Sequence, residues 1–190
     1  MADISTLLQA IAQKKEPITK QYEGFSPTIY KDTRGNKTIG YGFNIYDPYV
    51  FKKLPEDVSS GKRPIKKEEA DIIFDELYSN AQKDAVNWIG DETYDGLSPE
   101  RQEVIIDMSY NLGSTKLSKF KKLRKALQEG DYDKAAEEMK DSDWYGQVKN
   151  RAKENIRRME KTKGKLKLSM LQPDNSNIQN ILNQILKMRG

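Results

Sequence analysis

Three polar side chains suited to acid–base chemistry follow one another near the amino-terminal end of the sequence: Glu23, Asp32 and Thr38. Hydrolysis of a glycosidic bond requires one carboxylic acid that protonates the leaving oxygen and a second carboxylate that acts as a nucleophile or activates water. A nearby hydroxyl can hold that water. These three residue types therefore fit the hydrolysis of a glycoside.

The local sequence predicts how these side chains are positioned. Residues 17–23 fit a short helix, because a proline suits the first helical turn and Gly24 suits a helix stop. Residues 25–30 are predicted to form a strand, residues 32–36 are rich in turn formers, and residues 38–42 are predicted to form the return strand. Its two glycines indicate close approach of another backbone or of a ligand. We therefore expect the helix end and the hairpin to bring the three polar side chains together.

Spacing by itself leaves a second interpretation open. Acidic residues near turns are common, so Asp32 can simply cap its own turn and Glu23 can be an ordinary surface acid. In that case neither carboxylate has a chemical role.

The pattern beyond the hairpin predicts mostly helices. A third short strand is expected at 44–46, and the longest helix is expected at 65–88, where apolar residues recur at helical spacing. A helix at 98–113 begins with Ser-Pro and an acidic residue, which together are a strong start signal. A further helix is predicted at 118–129, and its outer face is basic.

The stretch around Glu23 also resembles the bacteriophage-type lysozymes, which are glycoside hydrolases of family 24. Their motif is Glu, eight residues, Asp or Cys, five residues, Thr, then Ile-Gly and a further Gly. The matching residues in this sequence are Glu23, Asp32, Thr38, Ile39, Gly40 and Gly42.

Later segments are similar to later segments of the same family. Residues 65–74 resemble the start of the family's long central helix, and residues 110–113 with Phe120 fall where the family has cleft residues. Residues 142–145 and 150–153 are similar to its late Trp-Tyr and Asn-Arg-Ala-Lys segments. Several motifs in the same order are far more specific than one motif.

The resemblance implies an α+β fold, mostly α, with two lobes. A small lobe with a β-hairpin and a helical lobe would be joined by the long helix. Residues 22–164 are the expected lysozyme domain. Residues 1–21 are predicted to be an N-terminal helical extension, and residues 165–190 a linker followed by a C-terminal amphipathic helix.

The resemblance also assigns roles to individual residues. Glu23 would be the general acid, and Asp32 would be the general base that, with Thr38, orients water in an inverting reaction. Arg151 matches a family arginine that pairs with the catalytic Glu, and such a partner lowers the pKa of Glu23 against the effect of burial. The positions predicted to bind substrate are Asn44, Tyr110, Asn111 and Arg151.

The sequence departs from the family at one pair of positions. Members of the family carry a His after the last glycine of the hairpin motif, and that His pairs with an acid on the long helix. Here the two positions are Phe43 and, in our alignment, Leu77. Because both are apolar, we predict that their side chains pack within about 4.5 Å of each other.

Residue types that are missing restrict the chemistry further. The sequence has no His and no Cys, which excludes disulfides, thiol chemistry and a histidine base. Acid–base work must fall to carboxylates, and we expect no metal site and no cofactor. The net charge of +4 suits an anionic partner, whether cell wall or nucleic acid, and does not choose between them.

The implied substrate is the glycan strand of peptidoglycan, cut at the β-1,4 bond after N-acetylmuramic acid. The sequence has no signal-peptide pattern and no apolar run of the length of a membrane span, about 18 residues. We therefore expect synthesis in the cytoplasm of a host cell. Action on the cell wall would follow release, as for an endolysin, or delivery by a phage particle.

Two other functions stay open. The chain could be a non-catalytic structural or binding module of a phage particle that keeps the lysozyme fold. It could also bind nucleic acid through the basic helix face at 119–125, although that leaves the Glu23 motif unexplained. Residues 176–188 carry an apolar stripe that predicts contact with a phage-particle partner or a second copy, or packing against the chain's own helical lobe.

Overall fold

The computed structural model describes residues 16–32, 35–148 and 150–160. The described residues up to Met159 belong to one compact unit. The predicted N-terminal helix before residue 16 and the predicted tail helix at 176–188 lie outside the described residues.

Helices dominate the described residues, and the strands cluster near the start of the chain. This confirms the predicted α+β, mostly helical class. The elements are, in chain order, α1 (Ile18–Glu23), β1 (Ser26–Lys31), β2 (Lys37–Gly40), β3 (Phe43–Asn44), α2 (Pro48–Lys53), α3 (Glu56–Ser59), α4 (Lys67–Ile89), α5 (Asp91–Asp95), α6 (Pro99–Leu112), α7 (Ser114–Leu117), α8 (Lys121–Gln128), α9 (Tyr132–Lys140), α10 (Asp143–Val148) and α11 (Asn150–Glu160).

The three strands form one antiparallel sheet in the order β1-β2-β3. Thr38 of β2 lies opposite Tyr30 of β1 and opposite Asn44 of β3. Directly opposite residues project from the same face of a sheet, so these three side chains form a row across it. The third strand begins one residue earlier than predicted and ends at Asn44, because Asn44 accepts a bond from the backbone N–H of Tyr46 and opens a turn.

Helix starts follow the capping residues that the sequence contains. Asp47 accepts hydrogen bonds from two backbone N–H groups at the start of α2, and Ser98 accepts one from the N–H of Arg101 at the start of α6. The helix predicted at 118–129 is wrong at its start. It begins at Lys121, and a separate short helix, α7, precedes it.

Two hydrophobic clusters hold these elements together, and α4 contributes to both. Its first half packs Ala70, Ile73 and Phe74 into a small cluster with the sheet. Its second half packs Ala85 and Trp88 into a larger cluster built mainly by α6 and the helices that follow. The long helix therefore joins a small sheet-containing lobe to a helical lobe, as predicted.

The helix α1 packs against α6 of the larger cluster, although it precedes the sheet in the chain. Its last residue is Glu23. None of the described helices is long and apolar enough to cross a membrane.

Candidate active site

Glu23 ends α1 and is held by an arginine from the far end of the compact unit. Its side chain is 20% exposed, and its Oε1 accepts a hydrogen bond from Arg151 Nη1 at 2.6 Å. This confirms the predicted contact between Glu23 and Arg151. Gly24 follows with a φ of 65° and stops the helix, so the carboxylate is presented at a helix end.

Arg151 is shared between Glu23 and a second acid, Asp107 of α6. Its Nε donates to Asp107 Oδ2 at 2.9 Å and its Nη2 donates to Oδ1 at 2.7 Å, which makes a bidentate ion pair. Asn155 Nδ2 also donates to Oδ2, at 2.6 Å, and Thr19 Oγ1 donates to Oδ1, at 2.8 Å. Asp107 is fully buried within this set.

Burial raises the pKa of Glu23 above its ordinary value of 4.5, although Arg151 acts in the opposite direction and Asp107 in the same one. The resemblance implies that Arg151 opposes the effect of burial. Arg151 does so, and the pKa is still raised because the effect of burial is the larger one, with a smaller contribution in the same direction from the charge of Asp107. A carboxyl group with a raised pKa holds its proton at higher pH and can act as a general acid.

Asp32 lies in the hairpin turn and is bonded differently. Its Oδ1 accepts a bond from the backbone N–H of Asn36 at 2.8 Å, and its Oδ2 accepts one from Asn36 Nδ2 at 3.0 Å. Its own backbone N–H donates to the carbonyl of Asn36 at 2.9 Å. The predicted turn chemistry therefore fixes the direction of this carboxylate.

The charges of both Glu23 and Asp32 act on Tyr30. Its pKa is raised by burial first, then by the charges of Glu23 and Asp32. Both acids therefore lie within electrostatic reach of one phenol. The separation of roughly 6.5–9.5 Å that inversion requires stays a prediction.

Thr38 lies beside Tyr30 in the row across the sheet and is 3% exposed. Its hydroxyl donates to the carbonyl of Asn36 at 3.1 Å. Asn36 therefore bonds both Asp32 and Thr38, and it keeps them on one turn. A hydroxyl that donates in this way can still accept a bond from water, since it has two lone pairs.

A cavity of about 460 Å³ opens next to Glu23 and contains two of the predicted substrate-binding residues, Asn44 and Tyr110. Gly42, one of its lining residues, lies close to Glu23: a Cβ added to Gly42 would lie 3.0 Å from Glu23 Oε2. The pKa of Tyr110 is raised by burial and by the charge of Glu23. Glu23 is therefore next to one residue of the cavity lining, Gly42, and its charge acts on another, Tyr110.

The other two predicted substrate-binding residues are engaged elsewhere. Asn111 Oδ1 accepts a bond from the indole N–H of Trp144 at 3.2 Å, and Arg151 makes the contacts with Glu23 and Asp107. Trp144 and Phe120 line a second cavity of about 740 Å³. Binding of substrate by Asn111 and Arg151 stays a prediction.

Phe43 and Leu77, the two positions at which the sequence differs from the family, both lie near the small cluster. Phe43 is buried in the small cluster, and Leu77 packs against that cluster. Both also line the cavity beside Glu23. Their direct contact stays a prediction, and the apolar surroundings agree with the loss of an ion pair at these positions.

The sequence patterns did not single out Thr19, Asp107 or Asn155. Asp107 had a signal, because it interrupts the run Val-Ile-Ile-Asp-Met on a predicted buried helix, and a buried acid requires a partner. Thr19 and Asn155 carried no comparable signal. Within the described residues, no group of His, Cys, Asp and Glu could hold a metal ion.

Comparison with known proteins identifies the family. The chain is 32% identical over 145 residues to "Probable T4-type lysozyme 2" of Dictyostelium discoideum, which covers 70% of this chain and 85% of that protein. It is 30% identical over 146 residues to "Probable T4-type lysozyme 1" of the same organism, with the same coverage.

The chain is also 28% identical over 142 residues to the pre-baseplate central spike protein Gp5 of Enterobacteria phage T4. That match covers 68% of this chain and 24% of the spike protein. The family model for phage lysozyme matches residues 20–162, which include Glu23, Asp32, Thr38 and Arg151. The chain belongs to the phage lysozyme family.

Proposed function

We propose that this protein is an N-acetylmuramidase that hydrolyses the β-1,4 bond between N-acetylmuramic acid and N-acetylglucosamine in peptidoglycan, with inversion of configuration. The observation that carries the proposal is the environment of Glu23. Its carboxyl group lies beside Gly42, which lines a cavity, is oriented by a hydrogen bond from Arg151, and has a raised pKa because of burial.

In this proposal Glu23 donates a proton to the leaving glycosidic oxygen. Arg151 keeps the carboxyl oriented through Oε1, and Oε2 is the oxygen on the side of Gly42 and the cavity. A proton on Oε2 would therefore be directed toward bound sugar. The absence of a side chain at Gly42 leaves room for this approach.

Asp32 is the proposed general base. Asn36 fixes its direction with two hydrogen bonds and also accepts the Thr38 hydroxyl. A water held by Thr38 and Asp32 would attack the face of the sugar opposite to the leaving group, which is the geometry of inversion. Asn44, in the same row as Thr38 and on the cavity wall, would bind the sugar.

The test is hydrolysis of purified peptidoglycan by the wild type and by Glu23→Gln. Loss of turbidity with the wild type and none with the variant supports the role of Glu23. New reducing ends that are N-acetylmuramic acid, first released as the α-anomer, support an inverting muramidase. Reducing ends that are N-acetylglucosamine, or a β-anomer released first, contradict the bond or the mechanism proposed.

The second candidate is a structural or binding module of a phage particle without activity. It is favoured by the similarity to the spike protein Gp5, whose name describes a particle component. A wild-type protein that binds peptidoglycan in a pull-down and releases no reducing ends would favour this candidate. For the muramidase, we propose action on the cell wall after release from a host cell or delivery by a phage particle.

A further inference from the structure

Asp107 carries a negative charge in the interior. Its two oxygens accept four hydrogen bonds, two from Arg151, one from Thr19 and one from Asn155. A carboxylate has about four acceptor sites, and a protonated carboxyl group would use one oxygen to donate. Because all four partners here donate, Asp107 is ionised although it is fully buried.

The guanidinium of Arg151 donates two hydrogen bonds to Asp107 and one to Glu23. Asp107 faces the edge formed by Nε and Nη2, which suits two parallel bonds, whereas Glu23 meets Nη1 alone. Burial lowers the pKa of Arg151, and its bonds first to Asp107 and then to Glu23 more than reverse this. The arginine's charge is therefore balanced mainly by Asp107.

We propose that Asp107 is a positioning residue of the glycosidase: it fixes the guanidinium of Arg151 against Glu23 and balances its charge, so that the contact orients Glu23 without forcing it to stay ionised. The inference rests on the proposed function in that Glu23 is taken as the general acid. An arginine without this balance would favour the carboxylate form of Glu23, which has no proton to donate.

The remaining groups around Glu23 do not change this balance. Among the described residues, the titratable and charged groups that interact electrostatically with it are Arg151 of α11, Asp107 and Tyr110 of α6 and Tyr30 of β1, and Tyr22 of α1 lies against Arg151. Burial raises the pKa of all three tyrosines, so they stay neutral while the carboxyl titrates. The charge next to Glu23 is therefore set by the Asp107–Arg151 pair.

The test is Asp107→Asn in the full chain, with two measurements. The first is a ¹³C NMR titration of the Glu23 carboxyl, and the second is the pH profile of peptidoglycan hydrolysis. We expect the titration midpoint of Glu23, and the alkaline limb of the profile, to move down by about one pH unit. Hydrolysis above the midpoint would then fall about tenfold, with a smaller loss at acidic pH.

Glu103→Gln is the matched control. Glu103 is another α6 acid paired with another α11 arginine, Arg158, and its charge is not among those that act on Glu23. We expect this variant to lose thermal stability without moving the Glu23 midpoint. If Asp107→Asn lowers only the thermal midpoint and leaves the Glu23 titration where it is in the wild type, the inference is wrong.

A second variant covers the case in which Asp107→Asn does not fold. Asp107→Asn with Arg151→Gln removes both charges of the buried pair, so no unpaired charge is left inside. We expect the Glu23 midpoint of this double variant to rise above that of the wild type, because the charge and the hydrogen bond of Arg151, which lower this pKa, are lost together with the smaller opposing effect of Asp107. A midpoint that stays or falls would mean that Arg151 does not act on Glu23, which contradicts the inference.

The two measurements separate this inference from the proposed function. If the wild type does not hydrolyse peptidoglycan, the function fails, while the NMR titration still decides whether Asp107 governs Glu23. If the wild type is active and the titration does not respond to Asp107→Asn, the function stands and the inference fails.

Discussion

At the scale of single residues, two carboxylates of one motif have different surroundings. Glu23 is half-buried beside an arginine that Asp107 also binds, and its pKa is raised. Asp32 lies in a turn and accepts two bonds from Asn36. This difference matches the division of labour between a general acid and a general base, in which only the acid must hold a proton.

Glu23→Gln should reduce hydrolysis by at least about a hundredfold, because an amide cannot donate the proton.

The contribution of Glu23 to the stability of the wild type should depend on pH. Since folding raises the pKa of Glu23, the wild type gains stability from this group at low pH and loses it as pH rises from 4.5 through the folded value.

The thermal midpoint of the wild type, minus that of Glu23→Gln, should therefore fall as pH rises through this range. Thermal unfolding of both proteins at matched pH values measures the difference. A difference that grows with pH would mean that the folded pKa is lowered, and that Arg151 outweighs burial.

Gly42→Ala should impair hydrolysis by more than its effect on stability explains. Gly42 has a φ of 77°, and a Cβ there would lie 3.0 Å from Glu23 Oε2, so the new methyl group displaces the acid. Gly130→Ala is the control, since Gly130 has a φ of 70° and nothing within 4 Å of a built Cβ.

Both substitutions should cost about 1–2 kcal/mol of unfolding free energy from backbone strain, measured by denaturant titration. Hydrolysis by Gly42→Ala should fall about tenfold or more, because small displacements of a catalytic group are costly, while Gly130→Ala keeps its activity. Equal activities of the two variants would remove Gly42 from the site.

At the scale of elements, α4 determines how the sheet meets the helical part. Its first half packs on the sheet cluster and its second half on the α6 cluster. The cavity beside Glu23 is lined by residues from both halves, including Leu77 and Ala81. A shift in the register of α4 would therefore change the cavity as well as both clusters.

The predicted contact of Phe43 with Leu77 tests this register. Alanine substitutions at both positions, alone and together, should show a coupling of about 0.5 kcal/mol or more in unfolding free energy, as expected of side chains in contact. Phe43 with Leu97, which belongs to the other cluster, should show none. Additive effects for Phe43 and Leu77 would mean that our alignment along α4 is off.

At the scale of the whole molecule, the family match ends at residue 162, and the apolar stripe at 178–186 follows it in the sequence. We expect this stripe to contact a partner or a second copy. Truncation after Lys165 should then preserve the thermal midpoint and hydrolysis and change the association state measured by light scattering. A marked drop in thermal midpoint with unchanged association would instead show that the tail packs on its own chain.

The sequence by itself determined the features that depend on neighbouring residues. The helix stop at Gly24, the turn at Asp32 and the cap at Ser98 follow from local backbone preferences and hydrogen bonds over a few positions. The ordered motif from Glu23 to Gly42 indicated the family by its resemblance to the family's motif. The short helix α7 was missed, since marginal helices depend on packing.

Only the tertiary structure decided how the acid is tuned. Arg151 lies 128 residues from Glu23 and 44 from Asp107, and Thr19 lies 88 residues from Asp107. The resemblance to the family indicated the first of these pairs, but not the buried acid that shares the arginine. The pKa of Glu23 depends on burial and on the sum of these charges, and both quantities exist only when α1, α6 and α11 are packed together.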